Sequence, residues 1–257
     1  TAHFLIKTNT EGLPVLQDYR LYLLLMATVL VTAAGYMIND YYDVKIDYVN
    51  RPNTVVVGKG IKRRVILVLH SLFNFIAVGL GWAVAPRIAA VIFFAGVLLW
   101  WYCNRLKRKP FIGNVAVAFL TGLSIYLVGY YYQKNELFVF TYALFAFFLN
   151  LIRELLKDLE DRHGDQLHGS KTLPIVLGFR KTKQVIYSIA ITFVGAILTV
   201  SFQLNHAHLY FYFGSLGLIF CWFMWLIYRA DRREQFTQLS AFAKAIMLVG
   251  TLSMAFL

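Results

Sequence analysis

Residues 21–47 read LYLLLMATVLVTAAGYMINDYYDVKID, an apolar run that ends in a cluster of acidic side chains. Asp40, Asp43 and Asp47 have the spacing i, i+3, i+7, which places three carboxylates on one face of an α-helix. A carboxylate at the end of an apolar run is costly unless a cation or a water-filled cavity receives it. The stretch therefore predicts a membrane-spanning helix whose end carries a functional site.

A second acidic cluster repeats this spacing later in the chain. Asp158, Asp161 and Asp165 follow the apolar run 137–156. Three carboxylates on one helix face repel one another unless a cation neutralises them. Carboxylates without histidine or cysteine suit Mg²⁺ rather than zinc, and Mg²⁺ is commonly shared with substrate phosphates. Two such faces predict a site that holds Mg²⁺ and, through the metal, a diphosphate.

The composition indicates a membrane protein. Of the 257 residues, 59% are hydrophobic and 15% are charged, whereas soluble domains carry about 25% charged residues. A soluble helical protein is disfavoured because the apolar segments have no polar face. Cys103 and Cys221 both lie in apolar runs, which predicts buried side chains rather than a disulfide or a metal site.

The net charge of +12 does not indicate a nucleic-acid partner. The cations fall in loops between apolar segments instead of forming a basic stripe interleaved with exposed aromatic residues. Twenty of the 25 Lys and Arg residues lie in the alternate loops 39–64, 103–110, 150–183 and 229–233. Such an excess marks the cytoplasmic side of a membrane. We therefore expect an integral membrane protein, surrounded by lipid, with both acidic clusters on the cytoplasmic side.

Long apolar segments recur along the whole chain, each near the roughly 20 residues that cross a bilayer as a helix. The eight predicted spans are 20–38, 65–85, 87–103, 112–133, 137–156, 184–204, 208–228 and 236–257. Because the chain begins at Thr1 rather than Met, residues 1–6 are expected to be the tail of a truncated first helix. We predict an all-α fold, a polytopic membrane helical bundle that forms a single domain over residues 1–257.

A cation transporter is the alternative that involves no catalysis, since intramembrane carboxylates can form an ion pathway. Such a pathway needs polar residues through the depth of the bundle, and the spans hold few apart from Asn74, Asn150 and Lys244. Both acidic clusters are also expected on one side of the membrane. This arrangement favours a binding site over a pathway.

The paired acidic motifs resemble those of the UbiA superfamily of intramembrane prenyltransferases. The resemblance is carried by Asn39-Asp40-x-x-Asp43-x-x-x-Asp47 and by Asp161-x-x-x-Asp165, with Asp158 one turn earlier. Supporting features are Arg51-Pro52, Tyr102 with Lys107-Arg108, Gly113-Asn114 and Lys171-Thr172-Leu173-Pro174. The resemblance implies a nine-helix fold, of which eight spans are complete here, around a central cavity with a polar cap on the cytoplasmic side.

The resemblance also implies a role for each residue of these motifs. Asp40, Asp43, Asp161 and Asp165 are expected to be catalytic. Two Mg²⁺ ions are expected, one held by Asp40, Asp43 and Asp47 and the other by Asp158, Asp161 and Asp165. The residues expected to bind the substrate are Asn39, Arg51, Tyr102, Lys107, Arg108, Arg153 and Lys171. Among them, the cations are candidates for contacts with the diphosphate, and Tyr102 is expected near the reacting carbon.

The activity that the resemblance implies is Mg²⁺-dependent transfer of a polyprenyl group from its diphosphate to a lipophilic acceptor. The allylic group becomes carbocation-like as the diphosphate leaves, so it needs an apolar pocket that excludes water. A bundle rich in Phe, Tyr and Leu supplies such a pocket, and aromatic faces favour a passing positive charge.

The acceptor is predicted from a narrower likeness. Residues 158–165 and Val55-Val56-Val57-Gly58-Lys59 are similar to the digeranylgeranylglyceryl phosphate synthase branch, which attaches a geranylgeranyl group to geranylgeranylglyceryl phosphate. An acceptor with its own phosphate would suit the basic residues Lys59, Lys62, Arg63 and Arg64. Two enzymatic alternatives stay open: prenylation of an aromatic acceptor, as in quinone or haem pathways, and a terpene cyclase that needs no acceptor.

Overall fold

The computed structural model describes residues 18–50, 53, 55–132, 136–204 and 207–252. These residues form eight α-helices: α1 (Tyr19–Asn50), α2 (Arg63–Val84), α3 (Pro86–Asn104), α4 (Ile112–Tyr132), α5 (Glu136–Leu167), α6 (Leu173–Leu204), α7 (Ala207–Arg229) and α8 (Arg233–Leu252). A short 3₁₀ turn, Leu106–Arg108, separates α3 from α4. The described part of the chain contains no β-strand, so the predicted all-α fold is confirmed.

Each of the eight helices contains the described part of one predicted apolar span, apart from Ala85, which follows α2; residues 253–257 of the last span lie outside the described residues. The six helices α1 to α6 are long and apolar enough to cross a membrane, which makes the chain a multi-pass membrane protein. In α7 the apolar stretch found among the described residues, Leu216–Arg229, is shorter than a full span. The total of eight spans therefore stays a prediction, and residues 1–6, expected to end a first helix, lie outside the described residues.

The start of α6 differs from its predicted position. The apolar pattern predicts a span from residue 184, whereas α6 begins at Leu173. Pro174 fits there because a proline is tolerated in the first turn of a helix, where its missing N–H has no partner to lose. Gly178 then adopts φ +80°, a left-handed conformation that breaks the helical geometry. A short first segment therefore precedes the long apolar part of α6.

Clustering of Cα positions divides the chain into two compact units. The first contains α1, α2, α3, the 3₁₀ turn, the beginning of α4 through Ala116, and the segment His163–Ser170 at the end of α5. Within it, α1 packs against both α2 and α3, and those two helices pack against each other. His70 on α2 lies 2.9 Å, through its Nδ1, from the carbonyl oxygen of Ala34 on α1. This unit therefore carries the whole first acidic cluster and the last residue of the second.

The second unit contains residues Val117–Arg162 and the described part of Lys171–Leu257. Its core is built on α5, where Leu149, Ile152, Leu155 and Leu156 are fully buried. A run of aromatic contacts continues from this helix to its neighbours through Phe145, Phe148, Phe193, Phe220 and Phe223. Within this unit α6 packs against α7, and α7 against α8. The single domain over residues 1–257 stays a prediction.

The two cysteines have different environments. Cys103 on α3 is buried, as its apolar neighbours predict. Cys221 on α7 is exposed, so the prediction that it is buried is wrong. An apolar run in a membrane helix includes faces that meet lipid rather than protein, and a residue's position in the run does not say which face it occupies. Both thiols are free.

Candidate active site

The first acidic cluster lies at the carboxyl-terminal end of α1, which remains helical through Asn50. Its three aspartates differ in burial although they share a helix face. Asp43 is 4% exposed, Asp47 is half-buried and Asp40 is exposed. The helix therefore presents one carboxylate to the interior of its unit and another to the solvent side, with Asn39 half-buried beside them.

Lys107 supplies the counter-charge for the buried carboxylate. Its Nζ forms an ion pair with Oδ2 of Asp43 and donates a hydrogen bond of 3.3 Å to Oδ1 of Asn39. The thiol of Cys103 approaches the same amide oxygen, with Sγ 3.9 Å from Oδ1. The end of α3 and the following turn thus contribute a cation and a thiol to the acidic face of α1.

The 3₁₀ turn places Lys107 at this position. The turn follows directly on α3, whose last turn is closed by a 2.9 Å hydrogen bond from Arg105 N–H to Trp101 C=O. The first turn of α4 then packs closely against it. A Cβ atom at Gly113 would lie 2.8 Å from the carbonyl oxygen of Leu106 and 3.1 Å from Cα of Lys107. Gly113 is therefore needed for the close approach that fixes the lysine.

Lys107 interacts electrostatically with one carboxylate of each acidic cluster. Burial lowers the pKa of Lys107, but the carboxylates of Asp43 and Asp165 raise it by more, so the pKa lies above its ordinary value. The side chain is therefore an ammonium ion that interacts with one aspartate from each cluster. Asp165, which is 6% exposed, belongs to the same compact unit as Asp43 and Lys107.

A close backbone approach brings the end of α5 to the end of α1. Gly164, one residue before Asp165, lies so close to Asn50 that a Cβ atom at position 164 would overlap the Asn50 side-chain amide. The turn that follows is closed by a 3.0 Å hydrogen bond from Ser170 N–H to Asp165 C=O. Within this unit the acidic ends of both helices therefore converge.

Asp158 and Asp161 lie on α5, about two turns and one turn before Asp165 respectively, and both are half-buried. Both side chains take part in interactions within the protein. They belong to the second compact unit, whereas Asp165 belongs to the first. The helix itself nevertheless carries the three carboxylates at the predicted spacing.

The remaining predicted substrate-binding residues have different environments. Arg153 pairs through Nη1 with Oε1 of the buried Glu154 and lies 3.4 Å from Oδ1 of Asn150, so it is engaged within its own helix. Arg108 and Lys171 are exposed, and Tyr102 is half-buried near the end of α3. Arg51 lies outside the described residues.

One cation of the loop after α1 and one at the start of α2 pack against tyrosines of α1. Arg63 donates from Nη2 to the carbonyl oxygen of Tyr41 at 3.0 Å, and its guanidinium lies 4.4 Å from the centre of the Tyr41 ring. Lys59 lies 5.0 Å from the centre of the Tyr48 ring. Both tyrosines are interleaved with the aspartates along α1. Arg63 and Lys59 therefore hold positive charge against the Tyr41 and Tyr48 side of α1, where it could receive a further anion.

The donor set fits Mg²⁺ in its chemistry. Among the described residues, no three His, Cys, Asp or Glu side chains come close enough together to form a complete metal cage. Mg²⁺ does not require one, because it usually keeps several waters and takes one or two carboxylates together with substrate phosphates. Asp40 and Asp43 with the amide oxygen of Asn39 are hard oxygen donors of this kind, and Lys107 balances part of their charge.

One residue of the site was not predicted from the sequence. Asn50 is buried at the last position of α1 and meets Gly164 of α5. It continues the spacing of Asp40, Asp43 and Asp47 by three residues, so it shares their helix face. Extending the acidic stripe by one helical step would have identified it.

Comparison with known proteins identifies the family of this chain. Residues 11–248 match the model of the UbiA prenyltransferase family. The digeranylgeranylglyceryl phosphate synthase of Methanoregula boonei is 42% identical over 171 residues, which are 65% of this chain and 60% of that protein. The synthase of the same name from Methanosphaera stadtmanae is 29% identical over 241 residues, 93% of this chain and 88% of that protein. The match thus spans less than two thirds of the first relative's length.

Solved structures share the fold. A structure described as that of digeranylgeranylglyceryl phosphate synthase in membranes matches with a TM-score of 0.76 at 23% identity, covering 98% of this chain and 89% of that one. A UbiA homologue from Archaeoglobus fulgidus, bound to DMAPP and Mg²⁺, matches with a TM-score of 0.67 at 17% identity, covering 96% and 91%. The family model covers most of the sequence and the fold agrees, so the chain belongs to the UbiA prenyltransferase family.

Proposed function

We propose that this protein is a membrane-embedded enzyme that transfers a prenyl group from its diphosphate to a lipophilic acceptor, with Mg²⁺ as cofactor. The observation that carries this proposal is the position of Lys107, which pairs with Asp43 of α1 and interacts electrostatically with Asp165 of α5. When Mg²⁺ binds these carboxylates, the ammonium of Lys107 could turn to the oxygens of a metal-bound diphosphate. Membership of the UbiA prenyltransferase family supports the reaction class.

The metal ligands are proposed from the two acidic helix faces. Asp40, Asp43 and Asp47, with the amide oxygen of Asn39, would hold one Mg²⁺. The α5 face formed by Asp158, Asp161 and Asp165 would hold a second. Bound Mg²⁺ supplies charge that stabilises the leaving diphosphate. The related Archaeoglobus fulgidus protein, solved with DMAPP and Mg²⁺, supports the use of this ion.

The cations of the site would bind and orient the diphosphate. Lys107 is the strongest candidate, because its ammonium already lies against Asp43 and Asn39 and could donate to a phosphate oxygen. Arg51, Arg108, Arg153 and Lys171 are proposed as further contacts. Tyr102 is proposed near the reacting carbon, where its aromatic face would favour the developing positive charge.

The reaction exchanges one carbon–oxygen bond for another. The bond between the allylic carbon and the diphosphate breaks, and its electron pair leaves with the diphosphate. The acceptor hydroxyl oxygen then bonds to the allylic carbon, and its proton passes to the diphosphate that has left. The apolar helices would keep water from capturing the cation first.

The proposed donor is geranylgeranyl diphosphate and the proposed acceptor is geranylgeranylglyceryl phosphate. The names of the two relatives support this choice. The basic loop beside α1 supports it as well, because Arg63 and Lys59 are held against Tyr41 and Tyr48 and could receive the acceptor's phosphate. The site is proposed to face the cytoplasm, where the basic loops are expected.

A mass-spectrometric screen would test this function. The purified protein is given geranylgeranyl diphosphate and Mg²⁺, with either the glyceryl phosphate lipid or a hydroxybenzoate as acceptor. We expect an ether-linked product when the glyceryl phosphate lipid is the acceptor and no product when the hydroxybenzoate is. Chelation of Mg²⁺ should abolish product formation. A prenylated hydroxybenzoate would replace the proposed acceptor with an aromatic one. A cyclic hydrocarbon formed without acceptor would contradict the transferase, and product formation without any divalent ion would contradict the metal site.

A further inference from the structure

A groove lies between the last two described helices, and no residue of either acidic cluster lines it. It is formed by α7 and α8 of the second compact unit, next to the tight turn that joins them. Its volume is about 490 Å³. One part of its lining is apolar and aromatic, and the other part is polar and cationic, so the groove has two chemically different ends.

The apolar wall is aromatic and accessible from outside the protein. Trp222 is 55% exposed and Trp225 is 50% exposed. Phe242 of α8 packs edge-on against Trp222, with the ring centres 5.4 Å apart. Half-exposed tryptophans near the end of an apolar helix are typical of the boundary between lipid tails and head groups. This wall therefore suits a hydrocarbon chain that lies against the protein.

The polar end is rich in hydrogen-bond donors. Arg229 is exposed, and its guanidinium lies 5.0 Å from the centre of the Trp225 ring. Gln235 accepts at Oε1 from the backbone N–H groups of Asp231, at 2.8 Å, and Arg232, at 2.9 Å. These two bonds fix the amide and leave its NH₂ group as the end that can serve a ligand. Gln238 also lines the groove.

The charge at this end is positive. No carboxylate is among the residues that line the groove, and Arg229 is a cation. The acidic residue of the adjoining turn, Asp231, is bound through Oδ1 by Nζ of Lys183 at 3.1 Å. The same ammonium donates to the carbonyl oxygen of Tyr228, also at 3.1 Å. Lys183 thereby neutralises Asp231, and Arg229 keeps its charge available for an anion.

We propose that this groove binds an anionic phospholipid of the surrounding membrane. The phosphate would accept hydrogen bonds from Arg229 and the adjacent glutamine amides, because a guanidinium matches phosphate geometry with two parallel donors. The first methylenes of an acyl chain would lie along Trp222 and Phe242. Basic residues at the cytoplasmic end of a helix attract anionic lipids, which supports an anionic head group. The proposal does not depend on the reaction assigned to the acidic clusters.

Native mass spectrometry of the full chain would test this site. The detergent-purified protein is titrated with phosphatidylglycerol and, separately, with phosphatidylcholine carrying the same acyl chains. We expect phosphatidylglycerol to bind roughly tenfold more tightly, the size of effect that a charged hydrogen-bonded contact gives. Arg229→Gln should remove this preference. Arg180→Gln, which removes an exposed cation of α6 that does not line the groove, should keep it.

A second variant separates loss of the site from loss of the fold. Trp225→Leu should weaken the binding of both lipids, while the helical circular dichroism and the prenyl-transfer rate stay at wild-type values. Equal binding of the two lipids by the wild type would overturn the proposal, as would an Arg229→Gln variant that behaves like Arg180→Gln. Displacement of the lipid by glycerol phosphate alone would identify a soluble phosphate as the ligand and overturn it too. A dimer that Trp225→Leu dissociates and that retains no lipid would assign the groove to a second copy of the chain.

Discussion

The negative charge of the buried Asp43 side chain is neutralised within the protein before any ligand binds to the proposed site. A buried carboxylate is costly without a partner, and Lys107 supplies that partner from the turn after α3. Asn39 shares the same ammonium through its amide oxygen. A metal ion that binds Asp43 must therefore compete with a cation that the protein already provides. Because of this competition, substitutions of Asp43 and of Lys107 should have different effects on activity and on Mg²⁺ binding.

Asp43→Asn should lower the rate of prenyl transfer by at least about a hundredfold, because it removes a charge that the bound metal needs while keeping the shape of the side chain. The rate is measured as product formed per minute from geranylgeranyl diphosphate. Asp18→Asn is the matched control, since Asp18 lies just before α1 at its opposite end and accepts a 3.0 Å hydrogen bond from Arg20 N–H. The control should retain nearly full activity, and an active Asp43→Asn variant would contradict the proposed role.

Lys107→Met should lower the melting temperature in the absence of Mg²⁺. The variant leaves Asp43 without its ion-pair partner, a loss on the order of 1–3 kcal/mol in the free energy of unfolding for a contact that keeps some solvent access. Added Mg²⁺ should raise the melting temperature more in this variant than in the wild type, because the competing ammonium is gone. Lys109→Met, at an exposed neighbouring position, is the control. Identical melting of all three proteins with and without Mg²⁺ would disprove the competition.

At the scale of the elements, the ends of α1 and α5 are brought together by small and polar residues rather than by the acidic ones. Gly164 allows the backbone of α5 to reach Asn50, and Gly113 allows α4 to pack on the turn that carries Lys107. The sequence predicts the helices and their acidic faces because apolar length and the i, i+3, i+7 spacing are local properties. It does not predict these approaches, because they depend on residues that are distant in the chain.

The same distinction explains the other differences between prediction and structure. Gly178 interrupts α6 with a left-handed backbone, although the apolar pattern around it is compatible with an uninterrupted helix. Arg153 is a candidate for the diphosphate by its position near the second cluster, yet the structure pairs it with Glu154. A local pattern fixes which face of a helix a residue occupies, but it does not fix a single backbone conformation such as that of Gly178 or the rotamer by which Arg153 reaches Glu154.

Gly164→Ala tests the convergence of the two helix ends. The added methyl group would overlap the Asn50 side-chain amide, so either this buried amide leaves its position or the end of α5 moves away from α1 and carries Asp165 with it. We expect prenyl transfer to fall by roughly tenfold or more, since small displacements of catalytic groups have effects of this size. Gly195→Ala in α6 is the matched control, because a Cβ atom there meets open space. It should keep its activity and gain up to about 1 kcal/mol of stability from the better helix former. Equal activity of both variants would argue against the convergence.

At the scale of the whole molecule, the placement of charge in alternate loops predicts how the protein lies in the membrane. From the excess of Lys and Arg in these loops we predict that both acidic clusters face the cytoplasm. The diphosphate head group of the donor could then reach the site from the cytoplasmic side, while its prenyl chain remains in the lipid. Six helices among the described residues have the length and apolar character that this arrangement requires.

Labelling of single cysteines would check this orientation. In a background with Cys103 and Cys221 replaced by alanine, Lys62→Cys should react with a membrane-impermeant maleimide in inverted vesicles and not in right-side-out vesicles. Arg87→Cys, in the first turn of α3, should show the opposite pattern. The measurement is the fraction of protein labelled in each preparation. Reaction of both cysteines from the same side would contradict the predicted topology.

The central claim is that the acidic ends of α1 and α5 act on one diphosphate. The most direct test is calorimetric titration of an unreactive geranylgeranyl thiodiphosphate, with Mg²⁺ present, into the wild type, Asp43→Asn, Asp165→Asn and the double variant. If the two carboxylates serve one site, each single change should weaken binding by about ten- to a hundredfold, and the double change should weaken it little further. Losses that multiply in the double variant, or single variants that bind as tightly as the wild type, would contradict the claim.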